Sequence, residues 1–221
     1  MWLEVDIRRQ LQAAGHRFQL DVQLSCTQRQ VVLFGPSGSG KSLTLKAVAG
    51  LLRPDAGRIV LDGDLLFEAA SAHWLPARVR RLGYVFQDYA LFPHLTVRQN
   101  VGFGLQRRWW NPRRGPQHDD VERWLRLLRI EALGDLYPAQ ISGGQRQRTA
   151  LARALATRPR ALLLDEPFAA LDPDLRGHLR RELQAVLEAT GVRLLLISHD
   201  PQDVAFFGQQ VVHLANGRVQ A

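Results

Sequence analysis

The sequence predicts an α/β fold: a parallel sheet buried on both faces, a small antiparallel β layer beside it, and an α-helical subdomain inserted into the sheet core. Three observations predict it. Val31–Phe34, Ala161–Leu164 and Leu194–Ile197 are continuous apolar runs, too short for helices, that suit strands covered on both faces. Trp2–Arg8 and His16–Leu24 instead alternate apolar with polar, as half-buried strands do, and Asp62-Gly63 inside Arg58–Phe67 is a hairpin signal. Between Gln87 and Ser142 the period changes again, with Val121, Trp124, Leu125 and Leu128 falling on one face of a helix.

Taken in order, the strand Val31–Phe34 runs into Gly35-Pro-Ser-Gly-Ser-Gly-Lys41-Ser42 and then a helix expected over Lys41–Leu51. The glycines free the loop to turn its N–H groups toward one point, and the following helix adds its N-terminal dipole. Gly35, Pro36, Ser37, Gly38, Ser39, Gly40, Lys41 and Ser42 are therefore the candidate nucleotide phosphate site, with Lys41 reaching the β- and γ-phosphates and the Ser42 hydroxyl holding Mg²⁺. Asp119-Asp120 is placed to cap a helix, and the inserted subdomain is expected over about residues 88–144. Core and β layer then occupy about 1–87 and 145–221 of one domain.

Ser142-Gly143-Gly144-Gln145 opens a helix expected over Gln145–Arg158, with Ala150, Leu151, Ala154 and Leu155 on one face and a stop before Pro159. Ser142 and Gln145 have capping-box spacing, and the same glycine-rich helix start is an anion site, so the two readings stand together. Asp165 and Glu166 end the Ala161–Leu164 strand at the C-terminal edge, where functional groups of parallel sheets gather. Asp165 suits Mg²⁺, held through water, and Glu166 the polarising of an attacking water. Leu194–Ile197 ends likewise at Ser198-His199, which places His199 as a γ-phosphate contact.

The order of these motifs resembles the ATP-hydrolysing subunits of ABC transporters over nearly the whole chain. The resemblance implies a P-loop NTPase (RecA-like) core, ATP and Mg²⁺ as cofactors, and two copies paired head to tail, the phosphate loop of one and Ser142–Gln145 of the other enclosing each ATP. It further implies that Gln87 senses Mg²⁺ and the membrane partner, that Leu171-Asp172 is a contact loop between copies, and that His199 is a switch histidine. Two departures stand out: Ile141 replaces the usual Leu, and the upstream position for a Tyr stacking on adenine has none. His16 and Phe18 are nearest; Phe18 alternates with Leu20, Val22 and Leu24 and reads as core, which leaves His16. Phe86–Phe103, including Tyr89, Phe92 and His94, is the candidate docking surface for a membrane subunit, or else ordinary core packing.

The chain has 221 residues, room for one such module and no second large domain. A single cysteine, Cys26, and no secretory signal lead to a reducing setting, and no apolar stretch approaches the roughly 18 residues that cross a bilayer. The expected location is the cytoplasmic face of the membrane, peripheral to permease subunits and indirectly serving a solute-binding protein. Net charge is +8, almost all from arginine, since lysine occurs only at 41 and 46. The charges are scattered; the densest group, Arg107-Arg108-Trp109-Trp110-Asn-Pro-Arg113-Arg114, reads as a loop near lipid head groups or a membrane subunit, not a nucleic-acid site. Soluble chromosome-maintenance ATPases separate the phosphate loop from the signature by a long coiled coil, and no sustained heptads occur here.

Arg81-Leu-Gly-Tyr-Val-Phe-Gln87-Asp-Tyr-Ala-Leu-Phe-Pro-His94 resembles the importer branch, whose members serve molybdate, sulfate, thiamine, iron or polyamines. The Arg58–Phe67 hairpin and the region before it look most like the molybdate members. Many of those carry a C-terminal regulatory domain; with Ala221 following the last expected strand, none is expected here.

Overall fold

The computed structural model describes residues 1–13, 16–105, 119–169, 171 and 173–220. They pack as two compact units, residues 1–81 with 193–221, and residues 82–192. The first unit opens with β1 (Leu3–Ala13), β2 (His16–Cys26), β3 (Gln30–Phe34), α1 (Lys41–Ala49), β4 (Ala56–Leu61), β5 (Asp64–Glu68) and β6 (His73–Trp74). The second comprises β7 (Leu82–Val85), α2 (Val97–Gly102), α3 (Asp119–Leu127), α4 (Gly143–Ala156), β8 (Ala161–Asp165) and α5 (Pro173–Thr190). The chain then completes the first unit with β9 (Arg193–Ser198), α6 (Pro201–Phe207), β10 (Gln210–Ala215) and β11 (Arg218–Val219).

In the first unit the strand order is β6-β5-β4-β1-β2-β11-β10-β3-β9. β3 lies between β10 and β9 and is parallel to both, with Val32 opposite Val211 on one side and Leu196 on the other. The double burial forecast by its composition is complete, since Val31, Val32, Leu33 and Leu194–Ile197 are all fully buried. β1, β2, β4, β5 and β6 form the antiparallel layer, the β4–β5 hairpin turning at Asp62-Gly63 as expected. Leu20, Val22 and Leu24 face the core as their alternation predicts, while Phe18 on the same face is half-buried, its Cζ 3.3 Å from where a Cβ on Gly40 would sit.

α1 ends two residues earlier than its periodicity suggests, because Gly50 adopts a left-handed cap whose N–H bonds the Ala47 carbonyl. Arg80 then secures that end. Its buried guanidinium donates to the Ala47 and Val48 carbonyls, both at 2.8 Å, and to Leu75 O at 2.7 Å, and lies 4.5 Å from the Trp74 ring. Carbonyl dipoles at a helix C-terminus attract a cation, so this arginine fixes from behind the helix whose front end closes the phosphate loop.

In the second unit β7 and β8 are parallel, Tyr84 opposite Leu163, and α4 packs on β7 and against α2 and α3. Ala161–Leu164 is fully buried. α3 begins at Asp119, so Asp119, Asp120 and Glu122 lie within its first turn, where they complement the dipole, and neither aspartate stands before the helix as its cap. Val121, Trp124, Leu125 and Leu128 are buried as their spacing requires. α2 carries its own capping box, Thr96 with Gln99. Asp172 and the Arg107–Arg114 cluster lie outside the described residues, as does the side chain of His16.

Candidate functional site

The first unit carries Gly35–Ser42 and His199; the second carries Gln87, Ser142–Gln145, Asp165 and Glu166. β3 delivers the chain to Gly35, where a Cβ would stand 2.0 Å from the Leu214 carbonyl oxygen of β10. Only glycine passes there. The loop is tied down a second time by the Gly217 N–H donating to Ser39 O at 3.0 Å. Gly40, at φ 101, is the cap of α1, and a Cβ on it would meet Leu20 Cδ1 at 2.6 Å.

Lys41 is 4% exposed and curls back over the loop, its Nζ donating to Gly35 O at 2.7 Å and Pro36 O at 2.8 Å, with Ser39 Oγ at 3.5 Å. The cap of α1 contributes no side-chain hydrogen bond and no acid occupies the first turn. A buried ammonium at a helix N-terminus whose first turn holds no acid is a cationic setting, the chemistry that suits a phosphate.

His199 is exposed at the end of β9, at a corner held by its neighbours. Ser198 Oγ donates to Asp203, both residues being 3% exposed, and accepts from the Asp200 N–H at 2.9 Å, while Asp200 caps α6 by accepting from Gln202 N–H. The imidazole is thereby presented from a fixed strand end.

In the second unit, Ser142 caps α4 and both arms of the capping box are made: Ser142 Oγ accepts from the Gln145 N–H at 3.3 Å, and Gln145 Oε1 from the Ser142 N–H at 2.8 Å. A Cβ on Gly144 would meet Leu175 Cδ2 at 2.7 Å, so this glycine lets α5 approach. Asp165, 6% exposed, is the last residue of β8, and its Oδ2 accepts from Tyr84 Oη at 3.1 Å. Burial first and the Asp165 charge second push the Tyr84 hydroxyl well above the usual phenol range, so it stays a donor. Glu166 stands at φ 46, a left-handed conformation that costs a non-glycine residue about 1–2 kcal/mol.

Gln87 is exposed and begins a turn running through Ala90. Tyr89 and Ala90 are successively left-handed, φ 65 and 43, and Tyr89 is 5% exposed. The stretch considered for docking divides: Tyr89, Leu95, Val97 and Val101 are buried, whereas His94 is exposed and Phe92 stacks at 4.3 Å on Phe103, which is 42% exposed. Two residues were missed from the sequence: Tyr84, which bonds Asp165, and Arg153, whose guanidinium bonds the Tyr89 and Ala90 carbonyls after Gln87. Alternation along β8 puts Leu163 and Asp165 on one face, and Tyr84 pairs with Leu163, but that inference needs the β7–β8 register. No helix among the described residues is long and apolar enough to cross a membrane.

A family model described as ABC transporter matches residues 19–169. The sulfate/thiosulfate import ATP-binding protein of Caulobacter vibrioides is 48% identical over 86% of the chain and 55% of its own length. The molybdenum import ATP-binding protein of Rhizobium etli is 41% identical over 100% of the chain and 60% of its own. The chain thus spans little more than half the length of these curated relatives. A dimeric ATP-binding cassette solved in a post-hydrolysis state with ADP and Pi superposes with a TM-score of 0.81 at 28% identity, covering 100% of this chain and 97% of that one. Phosphate loop, signature-type helix cap and strand-end carboxylates occur in the order of that family, and with these matches the chain belongs to the ABC transporter family and has the P-loop NTPase fold of its ATP-binding cassettes.

Proposed function

We propose that this chain is the ATP-hydrolysing subunit of an ABC importer for a tetrahedral oxyanion, molybdate or sulfate, acting as an ATP-sandwich homodimer on the cytoplasmic face of a membrane permease served by a solute-binding protein. The observation that carries the ATPase reading is Lys41, buried and already bonded across the loop from Gly35 to Ser39 at an uncapped helix start. The loop N–H groups and Lys41 bind and orient the β- and γ-phosphates. Ser142–Gln145 of a second copy close over the γ-phosphate through the N-terminus of α4.

Ser42, Gln87 and Asp165 offer oxygen donors only, which fits Mg²⁺. Bound there, Mg²⁺ supplies charge neutralisation for the phosphates. Glu166 orients and takes a proton from the attacking water, and His199 fixes the γ-phosphate. Phosphoryl transfer asks mainly for such positioning and charge stabilisation. Asp172 is assigned to the contact between copies.

The oxyanion reading is supported by the import proteins matched, sulfate/thiosulfate and molybdenum alike. Mg-ATP turnover by the purified chain tests the catalytic half: Lys41→Ala and Glu166→Gln should each lower kcat at least about 100-fold. Unchanged turnover in either variant removes that residue from its role. For cargo, cells carrying Lys41→Ala are compared with wild type for uptake of molybdate and of sulfate at limiting supply. Loss of one names the oxyanion; normal uptake of both refutes the class and leaves thiamine, iron and polyamines.

A further inference from the structure

Arg153, on the outer turns of α4, gathers the turn that follows Gln87. Its Nη1 donates to the Ala90 carbonyl and its Nη2 to the Tyr89 carbonyl, each at 2.7 Å, and its Cζ lies 5.6 Å from the centre of the Phe92 ring. The charge of Asp88 acts on the guanidinium as well, partly offsetting the effect of its burial. One side chain thus engages residues 88, 89, 90 and 92, and the two carbonyls it holds belong to the two left-handed residues. A planar fork matches two adjacent carbonyls as a point-like ammonium does not. Arg153 is eleven residues along from Ser142, about 16 Å of continuous helix.

We propose that Arg153 is a positioning residue that locks the Gln87 turn to the signature helix, so that a displacement of Gln87 and a displacement of Ser142–Gln145 are one motion. This rests on the assignment of Gln87 and Ser142–Gln145 to the ATP cycle. Burial of Tyr89 and the Asn100 side chain, which bonds Phe92, anchor its far side, but neither holds the Tyr89 and Ala90 carbonyls. Two successive left-handed non-glycine residues are disfavoured, and the hydrogen bond from Tyr89 N–H to Phe86 O closes only its first half. With the fork in place the strained form is the one the helix carries. Without it the turn relaxes, and Gln87 no longer reports to α4.

The test is amide hydrogen exchange on the full chain, followed peptide by peptide, beside Tm and steady-state turnover. Arg153→Met should raise exchange of residues 89–91 by at least about 10-fold while α4 exchange and Tm hold. In the same variant the KM for ATP should stay within about 2-fold, because the phosphate loop is untouched, and kcat should fall by about 10-fold. Arg153→Lys, which can satisfy one carbonyl but not both, should fall between. Exchange at 89–91 unchanged from wild type overturns the proposal, as does a rise shared by α4 together with a lower Tm, which would make Arg153 a plain structural support. Absence of turnover in the wild-type chain would instead sink the ATPase reading, while the exchange measurement would still decide whether the clamp exists.

Discussion

At the scale of single residues, the structure separates groups by what their surroundings allow. Burial and the Asp165 charge hold the Tyr84 hydroxyl well above the usual phenol range, so it serves Asp165 as a hydrogen-bond donor. Tyr84→Phe should raise the Mg²⁺ concentration for half-maximal turnover by about 3- to 10-fold, the worth of one such bond. ATP affinity measured in the presence of a chelator should not change; a shift there would mean that Tyr84 shapes the fold and not the carboxylate. Cys26 is fully buried, and burial pushes its thiol up to about 12 from 9.0. Because the folded value is the higher, the stabilisation is complete below pH 9 and is lost progressively as pH rises toward 12. Unfolding by urea at stepped pH should therefore show a midpoint that declines above 9, and alkylation of Cys26 at pH 8 should require denaturant.

At the scale of elements, what the sequence made legible follows from period and punctuation. The buried strands could be read because nothing but double burial explains Leu162-Leu-Leu or Leu194-Leu-Leu-Ile197. Helix ends were harder. α1 stops at Gly50 through a cap conformation that periodicity does not contain, and α4 starts at Gly143, two residues before its expected first residue, because Ser142 is the cap. Contacts between distant residues could not be read at all: Arg153 meets Ala90 across 63 positions, and no spacing rule spans that. The two readings of Ser142 can be parted. As a cap alone, Ser142→Ala costs about 1 kcal/mol of stability, seen in a denaturant midpoint, with turnover nearly kept. As a γ-phosphate donor as well, it should lower kcat by about 100-fold or more at the same modest loss of stability, and this is the outcome we expect.

At the scale of the whole molecule, a site completed by a second copy has a signature no single-chain enzyme has. Lys41→Ala and Ser142→Arg should each abolish turnover alone. Mixed in equal amounts, they should recover up to about a quarter of wild-type activity, since half of the two-fold dimers are mixed and one of their two sites combines an intact Lys41 with an intact Ser142. No recovery after subunit exchange, verified by labelled copies, would place the complete site within one chain. The net charge of +8 adds a reason to run this at moderate salt, where association of like-charged copies is not held back by their repulsion.

The loop from Gly35 to Ser42 follows directly on β3, yet its walls come from far along the sequence. β3 has β9 and β10 as its two neighbours, Gly35 is pressed against Leu214, and Ser39 is held by Gly217. During synthesis on the ribosome, the stretch proposed to hold ATP waits without both of its flanking strands until some 180 later residues have emerged. Such sequence-distant pairing is slow to form. The proposed nucleotide site is thus assembled only once β10 and Gly217 have been made, and a nascent chain that stops before them should not engage ATP.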